Sequence, residues 1–201
     1  TTQMWISTFH AFCDRILRSD AINIGLDSGY TLMTEAETIY FFRKHIHEFD
    51  LTYFRPLGNP MKFISGMIQH FSRLKDEDVS PIQYLEWVKK GSGLGRIRPD
   101  PGEEKDEESE KYKELAEAYR KYEELKIKEG VADYSDLISN TLKIFRSRKT
   151  ILARYQEQFR YVLIDEFQDT NFAQNELAIL LAGSRKNITC VADDDQAIYR
   201  W

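Results

Sequence analysis

The spacing of the apolar residues changes once along the chain, and that change limits the fold more than any other feature. From Phe9 to Tyr155 apolar residues recur three and four positions apart, the pattern of helices with one buried face. At Tyr161-Val162-Leu163-Ile164 they become a short continuous run that stops in Asp165-Glu166. A helical segment, Ala173 to Leu181 with a stop at Gly183, leads to a second run, Ile188-Thr189-Cys190-Val191, which stops in Asp193-Asp194-Asp195. Strand, helix, strand with apolar strands predicts a parallel pair buried on both faces. The expected fold class is mainly α, a helical insertion domain flanked by pieces of a parallel α/β sheet.

The helical block can be read from its caps. Residues 4–7 read as the end of a short strand. Ser7 or Thr8 then caps a helix whose face is Phe9, Phe12, Cys13, Ile16 and Leu17. Thr34 and Glu37 form a T-x-x-E capping box, which opens a helix to about His47. Asn59-Pro60 predicts an N-cap followed by Pro at the first helical position, with Met61, Ile64, Ile68, Phe71 and Leu74 inward. Ser80-Pro81-Ile82-Gln83 starts another helix, ending near Lys90. A long helix over about 110–129 carries Tyr112, Leu115, Tyr119 and Tyr122, read as core or helix-surface aromatics, and Gly130 is its C-cap. Asp133 caps the next helix, with Leu137, Ile138, Leu142 and Phe145 inward. A last helix covers about 149–158, with Ile151, Leu152 and Tyr155 inward.

Between these helices, residues 91–110 read as a mobile loop, glycine- and proline-rich and then acidic from Glu103 to Glu110. Gly91-Ser92-Gly93-Leu94-Gly95-Arg96 is not a phosphate loop. Arg96 stands where the second glycine of G-x-x-x-x-G-K-[ST] belongs, and the segment follows a helix rather than a strand.

Composition excludes several classes. With 42% hydrophobic and 30% charged residues over 201 positions, the chain has the balance of a soluble globular protein. No stretch reaches the ~20 consecutive apolar residues of a membrane span, and no charged-then-apolar leader opens the chain. Cys13 and Cys190 lie far apart, which fits neither a disulfide scaffold nor a common zinc site and fits a reducing cytoplasm. The net charge of −5 gives no whole-chain basic footprint, so nucleic acid would have to bind at a local site. The missing initiator Met and the stop at Trp201 suggest a piece of a longer protein.

Acids at the carboxyl ends of parallel strands lie where ligands bind in open sheets. An aspartate there can hold Mg²⁺ through water, and a second carboxylate can orient or deprotonate an attacking water. Asp165 and Glu166 suit those roles, although strand ends followed by solvated acids are common. Longer strings narrow the choice: V-L-I-D-E-F-Q-D-T-N from Val162, V-A-D-D-D-Q-A-I-Y-R-W from Val191, and I-S-T-F-H-A-F from Ile6. In this order they resemble the Walker B motif, motif III and the T-F-H motif of UvrD/Rep/PcrA-type superfamily 1 DNA helicases. Asp133-Tyr134-Ser135-Asp136-Leu137 resembles the D-F-x-D-L segment upstream of that Walker B motif. One departure is visible: Ala192 stands where the family usually has Gly.

The resemblance implies a central segment of an ATP-dependent DNA helicase, moving 3′ to 5′. Residues 1–11 and 159–201 would be pieces of the RecA-like (P-loop NTPase) motor domain 1A, and 12–158 the helical subdomain 1B. Asp165 would hold the Mg²⁺ of Mg-ATP and Glu166 would position the attacking water. Gln196 would sense the γ-phosphate. Thr8, Phe9 and His10, with Tyr199 and Trp201, would lie along single-stranded DNA, and duplex junction DNA would be a further partner. Gln168 and Asp169 match the family's Q-D pair, read as support for the site and its coupling to motif III. Asp169 is also placed to cap the helix that follows, and His10 could be a packed helix residue.

No G-x-x-x-x-G-K-[ST] occurs in the 201 residues, so the β- and γ-phosphates have no cradle in this chain. The chain alone is expected not to hydrolyse ATP, and its open strand edges are expected to favour self-association. Two other readings compete. One is a stand-alone helical binding module for DNA or protein. The other is a metal nuclease using Asp165, Glu166, Asp193, Asp194 and Asp195.

Overall fold

The first helix, α1 (Phe9–Asp20), begins where the extended backbone of Thr8 turns inward and its side chain accepts the Ala11 N–H at 3.3 Å. A computed structural model describes residues 4–90, 104–193 and 195. Other helices start the same way with reciprocal capping boxes, among them α2 (Glu35–Lys44) at Thr34, α4 (Pro81–Lys89) at Ser80 and α6 (Tyr134–Ser147) at Asp133. Each box satisfies N–H groups that have no partner inside the helix. The other helices are α3 (Ile64–Asp76), α5 (Glu104–Glu129), α7 (Lys149–Gln158) and α8 (Phe172–Ala182). Four short strands complete the described chain: β1 (Thr31–Leu32), β2 (Val131–Ala132), β3 (Val162–Ile164) and β4 (Ile188–Cys190). β3 and β4 form a parallel pair.

The chain folds as two units. The first takes in the described residues up to Leu32, then Lys75–Asp78, and those from Ala132 onward. Its core joins Cys13, Ile16 and Leu17 of α1, Leu137, Leu142 and Phe145 of α6, Leu152 and Tyr155 of α7, and Leu177 and Leu181 of α8. Each fully buried Leu, Ile or Phe contributes about 1.5–3 kcal/mol relative to exposure. The Asp20 carboxylate is buried among them, but it accepts from the Tyr155 hydroxyl at 2.8 Å and from Arg154 at 2.5 Å. The second unit holds Met33–Leu74 and Val79–Val131. Its core is aromatic: Phe42 stacks on Phe49 with ring centres 4.2 Å apart, and Phe71 on Tyr119 at 5.0 Å. Tyr119 and Tyr122 are buried in it, as core aromatics. The Glu114 carboxylate accepts the successive N–H groups of Thr52, Tyr53 and Phe54, which pins that loop to α5.

Several expectations need correction. Residues 4–7 form no strand, since among the described residues no segment pairs with them in a ladder. The helix expected from Asn59-Pro60 starts only at Ile64. The Asn59 side chain takes the Met61 N–H, and its carbonyl takes the Lys62 N–H, so the segment turns before it winds. The acidic residues 104–110 are not loop but the first turns of α5, whose Lys- and Glu-rich sequence favours helix. The glycine-rich part of that expected loop lies outside the described residues. The strand pair is not buried on both faces. Ile164 is covered, whereas Leu163 is 77% exposed and Val191 58%, because α8 packs on one side only. In the first unit α6 packs against α1, α7 and α8, and α7 also packs against α8.

Candidate functional site

The parallel register pairs Val162 with Ile188, Leu163 with Thr189 and Ile164 with Cys190. Both strands therefore release their chains at the same end. Beyond the last pair the two segments stay in contact: Val191 donates to the Ile164 carbonyl at 2.8 Å, and Phe167 donates to the Val191 carbonyl at 2.9 Å. The acids after each strand are thus held side by side by backbone.

At this end Asp165 and Glu166 are both exposed. One Asp165 oxygen accepts the Glu166 N–H at 3.1 Å. Glu166 itself stands in the left-handed region, φ 51° and ψ 44°, a conformation that costs a non-glycine residue roughly 1–3 kcal/mol. Its carboxylate is taken by Gln168, whose Nε2 donates to Oε2 at 2.5 Å. The Oε1 of the same Gln168 side chain accepts the Asp193 N–H at 3.1 Å. One amide therefore links the Glu166 carboxylate to the backbone that follows β4. Asp165 and Glu166 form no ion pair among the described residues. Carboxylate oxygens are the hard donors that Mg²⁺ takes, so this uncompensated, exposed pair fits a hydrated divalent cation.

A short 3₁₀ turn, Phe167–Asp169, leads from these acids to α8. The cap of α8 is Asn171, in a reciprocal box with Gln174, and not Asp169. The turn places Asn171, two residues later, where the backbone is extended, and only there can a side chain reach back to the first free N–H groups. Asp169 keeps one oxygen buried without a hydrogen-bond partner among the described residues. Asn171 also donates from Nδ2 to Asp76 at 2.7 Å. Burial pushes the Asp76 carboxyl up to about 6, with Glu77 adding to the shift and Lys75 opposing it.

The T-F-H residues sit at the start of α1. Thr8 is exposed and its hydroxyl caps the helix. Phe9 packs partly against the first core. His10 is half-buried, its ring 6.1 Å from that of Tyr134 in an edge-on arrangement, and burial lowers its pKa. Gln196, Tyr199 and Trp201 lie outside the described residues. Asp165, Glu166, Gln168 and Asp193 are brought together. Two features had not been singled out. Tyr134, inside the D-Y-S-D-L string, is an exposed aromatic beside His10. Lys75 is buried against Asp133 and Asp136 of that same string, and nothing in its own sequence context announces it.

The sequence model of the UvrD/REP helicase N-terminal domain matches residues 1–201. The chain belongs to that family. Among its relatives is the ATP-dependent DNA helicase PcrA of Leuconostoc citreum, 35% identical over 201 residues, a match that covers 98% of this chain and 23% of that protein. The PcrA of Bacillus subtilis is 31% identical over 199 residues, covering 98% and 23%. DNA helicase II of Haemophilus influenzae is 28% identical over 201 residues, covering 98% and 24%. The chain thus spans about a quarter of the length of these curated relatives. In this UvrD/REP helicase chain no helix among the described residues is long and apolar enough to cross a membrane.

Proposed function

We propose that this chain is part of an ATP-dependent DNA helicase that moves 3′ to 5′ along single-stranded DNA and opens duplex at a junction, and that the end of β3 and β4 is its hydrolytic edge in a RecA-like motor domain. The observation that carries the reading is the exposed Asp165-Glu166 pair, tied through Gln168 to the segment after β4. Asp165 would hold the Mg²⁺ of Mg-ATP, through water. The ion, when bound, neutralises charge on the phosphate oxygens of ATP. Glu166 orients the attacking water and takes its proton. Its left-handed backbone and the Gln168 amide fix where that carboxylate points. Hydrolysis of this kind depends on positioning and electrostatics more than on covalent chemistry by the protein, which suits a site built from backbone ladders.

Gln196 senses the γ-phosphate, and Tyr199 and Trp201 lie along single-stranded DNA, with the final aromatic, Trp201, stacking on a base. Stacking contributes ~1–3 kcal/mol per base and tolerates any sequence, as a motor on arbitrary DNA requires. Thr8, Phe9 and His10 border the same track. The phosphate cradle comes from outside the 201 residues, so this chain alone does not hydrolyse ATP. Its exposed Tyr161, Leu163 and Val191 side chains give the isolated chain a face for self-association. The whole protein works in the cytoplasm.

The test is single-stranded-DNA-stimulated ATP hydrolysis by the full-length protein. Asp165→Ala should remove the Mg²⁺-dependent rate, and the purified 201-residue chain should not exceed its own Glu166→Ala control. Full hydrolysis by Asp165→Ala, or clear hydrolysis by the isolated chain, would contradict the reading.

A further inference from the structure

We infer that Asp76 is a positioning residue for hydrolysis: through the buried Asn171 amide it holds the far end of the turn that carries Glu166. The inference rests on the hydrolytic reading of Glu166 and adds to it a residue 95 positions before Asn171.

Glu166 needs both ends of its turn fixed. Its left-handed backbone is a strained state for a non-glycine residue, and such states persist only where the surroundings over-determine them. At the near end the strand pair does this, with Val191 donating to the Ile164 carbonyl at 2.8 Å. Beyond Glu166 the turn closes on its own backbone. Asp169 donates to the Glu166 carbonyl at 2.9 Å, and Thr170 to the Phe167 carbonyl at 3.1 Å. The next residue, Asn171, is extended and only 4% exposed. It is the far anchor of the turn.

The Asn171 amide faces two ways. Its Oδ1 accepts the Gln174 N–H at 2.9 Å and so caps α8, while its Nδ2 donates to Asp76 Oδ1 at 2.7 Å. The oxygen and nitrogen of a primary amide share one plane, so holding one end holds the other. Asp76 is itself secured on both sides. Lys75 meets Asp136 at 2.5 Å, and Asp78, left-handed at φ 57°, meets Arg146 at 2.6 Å. Arg146 also reaches Glu176 of α8 at 3.3 Å. All these residues lie in the first unit. An N-cap needs only the side-chain oxygen. The Asp76 contact is therefore surplus to capping; it fixes the amide, and with it the end of the turn. Asp76 acts only through Asn171.

The experiment measures single-stranded-DNA-stimulated ATP hydrolysis by the full-length protein, with kcat separated from KM, beside melting temperature. Asn171→Asp keeps the capping oxygen, and aspartate caps helices as well as asparagine does. It replaces the donor, however, with a second carboxylate, which Asp76 repels. Asp76→Leu removes the acceptor at similar size. Asp76→Asn keeps an acceptor. Asp76→Asn combined with Asn171→Asp restores the bond with its direction reversed. The inference expects Asn171→Asp and Asp76→Leu each to lower kcat about 10- to 100-fold, with KM for ATP within about threefold of the parent. Asp76→Asn alone, and the double variant, should keep kcat within about threefold of the parent. A kcat within about twofold of the parent in either Asn171→Asp or Asp76→Leu, while Glu166→Gln abolishes hydrolysis, overturns the inference and leaves the hydrolytic reading standing. So does a double variant no faster than Asn171→Asp, or a change confined to KM. A loss that vanishes once each variant is assayed well below its own melting temperature overturns it too, since that is loss of fold and not of position. Hydrolysis that survives in Glu166→Gln overturns the hydrolytic reading, and the inference falls with it.

Discussion

Lys75 Nζ lies 2.5 Å from Asp136 Oδ1, and the two side chains are only 3% and 4% exposed. The same ammonium reaches Asp133 at 3.0 Å. These two aspartates also cap α6 reciprocally, Asp133 accepting the Asp136 N–H and Asp136 the Asp133 N–H. Removing one partner of a buried pair leaves a charge without compensation, at a cost of about 3–5 kcal/mol. Lys75→Met should therefore lower the stability of the first unit by roughly that amount, measured by urea unfolding. A loss below about 1 kcal/mol, the range of surface pairs, would show that the pair is not buried as described.

Gly183 carries a second prediction. It ends α8 with φ 54° and ψ −147°, and a Cβ added there would lie 2.6 Å from Gln156 Nε2. That nitrogen donates to the Leu180 carbonyl at 2.7 Å. Gly183→Ala should cost about 1–3 kcal/mol from backbone strain alone, and more as the Gln156 bond is displaced. The check is a lower urea midpoint with an unchanged slope. A neutral variant would contradict the described turn.

The third prediction concerns pH. The Asp76 carboxyl is pushed up to about 6, chiefly by burial, above its value in an unfolded chain, about 3.9. Folding therefore favours the protonated form. That contribution is fully present below about pH 4 and is lost as pH rises through about 6. Asp76→Asn keeps an oxygen for the Asn171 amide and removes the charge. It should stabilise the protein at pH 7 by roughly 1 kcal/mol, once the screening of a half-buried group is allowed for. At pH 4 it should be neutral. Equal effects at both pH values would contradict the assignment.

Much of this fold was legible because caps are local. Thr8, Thr34, Ser80, Asp133 and Gly130 all act where their chemistry predicts, each satisfying backbone groups within a few residues. What failed was non-local. Residues 4–7 look extended, but a strand exists only with a partner. Leu163 and Val191 look like core, but their burial depends on what covers the sheet. Asn59 looks like a cap, yet its side chain closes a tighter turn. The site divides the same way. Asp165 and Glu166 stand out in the sequence because they end an apolar run. Lys75 and the Asp193 N–H do not, since their partners lie 61 and 25 residues away.

The role of Glu166 is tested most directly by ATP turnover of the full-length Glu166→Gln protein alongside its affinity for ATP. The predicted result is a fall in single-stranded-DNA-stimulated turnover of about 100- to 10,000-fold, with ATP affinity within about threefold of the parent. Turnover within a few-fold of the parent would contradict the assignment of this strand end as the hydrolytic site.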